Sequence, residues 1–160
     1  MKLKNLAAAS VVALTALSSQ AASFNWGAHD AFEVGGNTVS GAVFDTFSFS
    51  LGAGSMLTSS VIANPGSFLG AAYTLYSAGA DHMIGGGDDS LVGAWGFNTA
   101  NTVTLGSGSY YYSVLGGATG SSTYAISSVA AAVPEPETYA LLGAGLGVVG
   151  FLASRRRRES

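Results

Sequence analysis

The residues best placed for chemistry lie in one stretch, ADHMIGGGDDS, positions 80–90. Asp81, Asp88, Asp89 and His82 surround a Gly85-Gly86-Gly87 turn. Oxygen ligands on a glycine turn suit Ca²⁺, which is plentiful outside cells. The spacing fits neither an EF-hand nor a repeated Gly/Asp nonapeptide, and the stretch occurs once. The plainer account is a solvated hairpin loop in which Asp and Gly serve turn geometry. Asp81, Asp88 and Asp89 are the calcium candidates, and the expectation is no metal and no cofactor. The same aspartates could be imagined as a carboxylate pair for glycoside hydrolysis, but nothing in the sequence fixes them in a cleft. A serine hydrolase would draw on His29 or His82 and one of many serines, yet no Gly-x-Ser-x-Gly elbow is present. No catalytic residue is assigned, and the chain is read as not an enzyme.

Two further groups of residues invite chemistry. Asp45 interrupts the apolar side of TVSGAVFDTFSFSL, positions 38–51. A buried acid with no Lys or Arg nearby must find backbone or hydroxyl donors. It is read as a carboxylate tying down a neighbouring loop, in preference to a ligand contact. Trp26, Trp95 and Tyr110 to Tyr112 could form a sugar-stacking platform. Core packing is the expected role for most of them.

These residues must be held by strands. Residues 22–132 carry 19 glycines and 15 aromatics, with no helical periodicity. Short alternating runs recur between Gly, Asn, Asp and Ser breaks. In 38–51, Val39, Val43, Phe47, Phe49 and Leu51 share one parity, and a slip or bulge is expected near Asp45. Further strands are expected over 56–63, 72–77, 91–97, 102–105, 109–115 and 123–129. Tyr73 and Leu75 share a face; so do Tyr110, Tyr112 and Val114. The fold expectation is all-β: an antiparallel, jelly-roll-like β-sandwich, each sheet with one wet face.

Charge is segregated. The six basic residues are Lys2, Lys4 and Arg155 to Arg158, and none lies between Ala22 and Ala132. That stretch carries only acids, so it repels phosphate backbones and nucleic acid is excluded as a partner. There is no cysteine, which excludes disulfides and thiolate chemistry. Residues 1–21 have a basic start, an apolar run and small residues before Ala21, the pattern of a secretory signal helix cut by signal peptidase after Ala21. Residues 22–132 form the exported domain and 133–160 a tail. In the tail, Pro134 and Pro136 favour an extended spacer. An apolar run over 139–154 is expected to be a single transmembrane helix, with Arg155, Arg156, Arg157 and Arg158 as a cytoplasmic stop-transfer cluster. Gly145, Gly147 and Gly150 spell GxGxxG, but without a βαβ unit around them they do not make a dinucleotide site.

The tail VPEPETYALLGAGLGVVGFLASRRRR resembles the PEP-CTERM sorting signal of Gram-negative bacteria. The resemblance implies processing by an exosortase, with Pro134, Glu135 and Pro136 as its recognition residues. It also implies transient anchoring in the inner membrane, then release to the cell surface or outside. The rival reading is a plain anchor that stays in place. GAVFDTFSFSL and GSYYYSVLGGATG look like the FxDxF group of such proteins, with Val43 where the first Phe would stand. The family is associated with biofilm and exopolysaccharide. The expected role is therefore a structural or adhesive surface protein that contacts exopolysaccharide; the alternative is a carbohydrate- or calcium-binding module.

Overall fold

The structure, a computed structural model, describes residues 21–133 and 136–158. The expected signal helix up to residue 20, together with Pro134 and Glu135, lies outside the described residues. Among the described residues there are seven strands: β1 (Ser23–Ala28), β2 (Phe32–Leu51), β3 (Ser55–Ala63), β4 (Phe68–Ser77), β5 (Ser90–Gly96), β6 (Asn101–Leu105) and β7 (Gly108–Ala132). One helix, α1 (Pro136–Arg158), follows them.

Two long strands organise the rest. β2 and β7 pair antiparallel from Phe32↔Val129 to Leu51↔Gly108. Their register slips near the middle: Val39 faces Ser122, but Gly41 faces Ala118. Gly41 (φ +83°) and Gly120 (φ +78°) sit at this slip in the left-handed region, which glycine enters without a Cβ clash. Extra residues in one strand bend the pair and raise its twist. The two halves of the ribbon therefore recruit different neighbours. The first half of β2 and the second half of β7 are extended by β3 and then β6. The other halves are flanked by β1 on the β2 side and by β4, then β5, on the β7 side. All seven strands remain one sheet, folded over into a sandwich-like pair of layers.

Alternation explains which side chains close that sandwich. Successive strand residues point to opposite faces. On β2, Val39, Val43, Phe47, Phe49 and Leu51 are buried, while Phe44 is half exposed. β7 contributes Tyr110, Tyr112, Val114, Tyr124 and Ile126, β4 contributes Tyr73 and Leu75, and β3 contributes Leu57 and Val61. Rings from the two layers meet: Phe47 lies edge-on to Tyr124 at 6.3 Å. The Tyr112 hydroxyl, in the first half of β7, lies 3.1 Å from Ser128 Oγ in its second half. The Tyr73 hydroxyl donates to the Ser59 carbonyl at 3.0 Å.

Several expectations need correction. The stretches 109–115 and 123–129 are one strand, because the Gly-rich segment between them bends without leaving the ladder. β1 was not expected, since SFNWGA is short and lacks a clean apolar alternation, and it pairs with β2 in parallel rather than antiparallel fashion. The strand order β1-β2-β7-β3-β6, with β4 and β5 branching from β7, replaces the jelly roll. The register slip falls not at Asp45 but at Val39/Gly41, where Gly41 and Gly120 take up the left-handed conformation it needs. The expected transmembrane helix over 139–154 is not supported. α1 does form, but among the described residues no helix is long and apolar enough to cross a membrane.

Phe47 is fully buried and stacks on Phe24 with ring centroids 4.7 Å apart. Phe47→Ala is expected to lower the unfolding free energy by about 3–5 kcal/mol, the usual cost of deleting a core aromatic. Urea titration of the exported protein measures it. A loss under about 1 kcal/mol, typical of surface changes, would contradict this core.

Candidate functional site

Among the described residues, Asp45 is the one buried charged side chain, with no exposed surface. Strand alternation turns it inward between Val43 and Phe47. Its Oδ1 accepts a hydrogen bond from the Ala22 amide at 2.8 Å. Its Oδ2 accepts from Asn37 Nδ2 at 3.0 Å and from the Tyr124 hydroxyl at 2.5 Å. Burial pushes the Tyr124 phenol well up, and the Asp45 bond and charge add to the effect. The Thr46 amide donates to the Ala22 carbonyl at 2.8 Å, so Ala22 is gripped on both sides. The carboxylate thus ties down the segment that enters β1.

The aspartates of the 80–90 loop do not converge. Asp88 Oδ2 accepts from the amides of Ala80 at 2.6 Å and Asp81 at 3.4 Å. The Ala80 amide bond holds the Asp88 carboxyl below its usual value. Asp81 Oδ1 accepts from the Met83 amide at 2.9 Å, closing its own turn. Asp89 Oδ2 accepts from the Gly85 amide and the Tyr111 hydroxyl, each at 2.7 Å. A Cβ at Gly79 would lie 2.3 Å from the Asp88 carboxylate, so glycine is needed for this close approach. Each carboxylate serves the backbone of its own loop, as turn chemistry requires. Among the described residues, no three His, Cys, Asp or Glu side chains are grouped so as to hold a metal ion.

The histidines are also spread apart. His82 (φ +57°) places Nδ1 2.9 Å from Ser109 Oγ. His29 places Nε2 2.8 Å from Ser128 Oγ, while its Nδ1 meets the Asp30 carbonyl rather than a carboxylate. Ser128 is fully buried. A nucleophile needs an exposed hydroxyl and an oriented base, and this pair offers neither a third member nor access. The aromatics divide as well. Trp26 packs 5.4 Å from Phe47, Tyr110 5.9 Å from Phe49 and Trp95 5.3 Å from Tyr73. Tyr112 is wholly enclosed. Of the expected platform, Tyr111 alone turns to the outer face, where it stacks on Tyr76 at 5.2 Å with 12° between the rings.

That stack floors an outward-facing groove of about 290 Å³, lined also by Phe44, Thr46, Thr74, Ile84 and Asp89. Asp89 Oδ1 is buried there with no hydrogen-bond partner. Sequence reasoning missed Tyr76 and Phe44 as site residues. The available signal was Phe44, an aromatic on the polar parity of its strand. A second hollow of about 310 Å³ runs past Asn25, Ser48, Ser50, His82 and Tyr110.

In the tail, Pro136 opens α1 and Arg158 closes it. Tyr139, Leu141, Leu142, Leu146, Val148, Val149 and Phe151 are exposed and lie on every side of the helix. Arg155 to Arg158, the expected stop-transfer cluster, form the end of α1.

Residues 132–158 match the PEP-CTERM protein-sorting motif. The tail therefore carries a protein-sorting signal, which supports export and sorting by an exosortase. A sequence comparison with curated proteins finds no match. Among solved structures, the chain is similar to the pre-peptidase C-terminal domain of a collagenase from Bacillus anthracis. They share 15% identity over 66% of this chain and 93% of that one, with a TM-score of 0.48. It is also similar to PliG of Aeromonas hydrophila, a periplasmic inhibitor of g-type lysozyme. There the identity is 17% over 71% and 100% of the chains, with a TM-score of 0.49. PliG of Salmonella Typhimurium shares 18% identity over 68% and 98%, with a TM-score of 0.40. Likeness at this level says nothing about a shared ligand or activity.

The buried phenols set an alkaline limit. Burial pushes Tyr112 up to about 12, and burial with the Asp89 hydrogen bond does the same for Tyr111. A folded value above the unfolded value of about 10 means that the stability is complete below pH 10 and is lost as pH rises toward 12. Urea titrations stepped through this window are expected to show that fall. In Tyr112→Phe the fall should be shallower by about 2–3 kcal/mol, the worth of a two-unit shift. Equal slopes in the two proteins would contradict the burial of this hydroxyl.

Proposed function

We propose that this is a non-catalytic structural protein of the cell surface or extracellular matrix of a Gram-negative bacterium, and that it contacts exopolysaccharide. Signal peptidase removes residues 1–21. Exosortase then recognises Pro134, Glu135 and Pro136 and acts on the tail. α1 stays only briefly beside the membrane-embedded enzyme, with Arg155 to Arg158 held on the cytoplasmic side until processing.

One observation carries the contact: the outer face of the layer built from β3, β6 and the paired halves of β2 and β7. No charged residue stands at its outward positions. Hydroxyls pair across it, Thr38 with Thr123 at 2.8 Å, Thr58 with Thr102 at 2.9 Å and Ser60 with Ser127 at 3.2 Å. Phe32, Val34, Ile62 and Val129 are exposed beside them. Exposed apolar side chains among polar groups mark an interaction surface. Neutral saccharides present both hydroxyls and apolar C–H faces, which matches such a surface better than a charged polymer would.

A second reading places a carbohydrate-binding module at the Phe44–Tyr76–Tyr111 groove. The open acceptor Asp89 Oδ1 favours it, because a sugar hydroxyl would satisfy a group that is costly to leave unpaired.

Co-sedimentation of the exported protein with the host's exopolysaccharide tests both. Val129→Lys is expected to weaken binding severalfold, while Asp89→Asn leaves it unchanged. The reverse pattern assigns binding to the groove. Failure of the unaltered protein to sediment would remove the matrix contact altogether.

A further inference from the structure

Asp45 presents a problem of charge. It is wholly buried, and residues 22–132 contain no lysine or arginine that could answer it. Its side-chain donors are Asn37 and Tyr124, of which only Tyr124 is titratable. The third donor is a backbone nitrogen, that of Ala22. Buried carboxylates are ordinarily paired with a cation. Ala22 is also the residue that cleavage after Ala21 would expose as a new amino terminus.

We propose that the Asp45 carboxylate is a binding site for this chain's own mature amino terminus: removal of residues 1–21 frees the Ala22 amine, which pairs with Asp45 as an ammonium, so that signal cleavage completes the core. The inference rests on the reading that the chain is exported and cut after Ala21. The geometry is already in place. Ala22 N lies 2.8 Å from Asp45 Oδ1. The Thr46 amide holds the Ala22 carbonyl at 2.8 Å, and Thr46 Oγ1 donates to Ser23 Oγ at 3.0 Å. The nitrogen is therefore fixed from the residues that follow it. Cleavage replaces one neutral N–H donor by a charged group with three. Charge-assisted hydrogen bonds are roughly twice as strong as neutral ones. Before cleavage the donors to the buried carboxylate among the described residues are all neutral, so the precursor is the less stable form. That is useful for a chain that must cross a membrane before it folds.

The sequence supplies a clean test. Lys2 and Lys4 are the only lysines. Once residues 1–21 are gone, the amino terminus is the sole primary amine in the protein. The full chain is exported from its host and purified, and intact mass reports its first residue. The amine is then tagged by reductive methylation with ¹³C-formaldehyde and titrated by NMR, in native buffer and in urea. The native midpoint is expected at least one unit above the urea value. An amine-reactive acylating reagent should modify the native protein at least tenfold more slowly than the unfolded one. Asp45→Asn should abolish both differences; if that variant does not fold, the native-against-urea comparison decides alone. A mass that begins elsewhere than Ala22 overturns the cut-site premise. A chain that begins at Ala22 but has equal midpoints and equal reactivities overturns the pairing itself.

Discussion

A single buried carboxylate constrains this domain. Asp45 faces inward on the central strand, in a stretch that offers no fixed cation. A buried charge left without donors costs several kcal/mol, so the surrounding structure must supply them. It does so from three places: the entry to β1, the first half of β2 and the second half of β7. Asn37 and Asp45 lie on opposite sides of the β2 slip, and Tyr124 lies beyond the bend in β7. The carboxylate can be satisfied only when the long ribbon has folded over on itself.

The same constraint explains the parallel edge strand. β1 has little apolar surface of its own, and Phe24 and Trp26 are only partly buried. What fixes its register is Ala22, held by Asp45 and Thr46 before the first strand pair Ser23↔Thr46. From that anchor Phe24 stacks on Phe47 and Trp26 closes over Phe47 and Phe49. Polar satisfaction sets the position, and aromatic packing then adds area. A core with so many tyrosines needs this order, because each enclosed hydroxyl must also find a partner. Tyr73, Tyr112 and Tyr124 find theirs on Ser59, Ser128 and Asp45.

Much of this was legible before any coordinates. Strand parity in 38–51 placed Val39, Phe47, Phe49 and Leu51 inside, and Asp45 was read as a carboxylate that holds a neighbouring segment. The aromatics were mostly core, as expected. What could not be read was long-range. No local pattern says that Gly116 to Gly120 bend a strand instead of ending it, since glycine runs usually mark turns. No local pattern pairs Ser23 with Thr46 in parallel. The groove with Tyr76, Tyr111 and Asp89 joins three separate segments, and only the fold brings them together. In the tail, the Pro-Glu-Pro and arginine cluster were legible as a sorting signal.

The two ends serve as addresses and the domain is the cargo. The most direct test is the intact mass and location of the native protein in a host with its exosortase and in the same host without it. With the enzyme, the account predicts a surface or released species that has lost α1 and the arginine cluster. Without it, the tail should remain attached. A protein that keeps residues 136–158 in both hosts would contradict the account and leave a tail that is never processed.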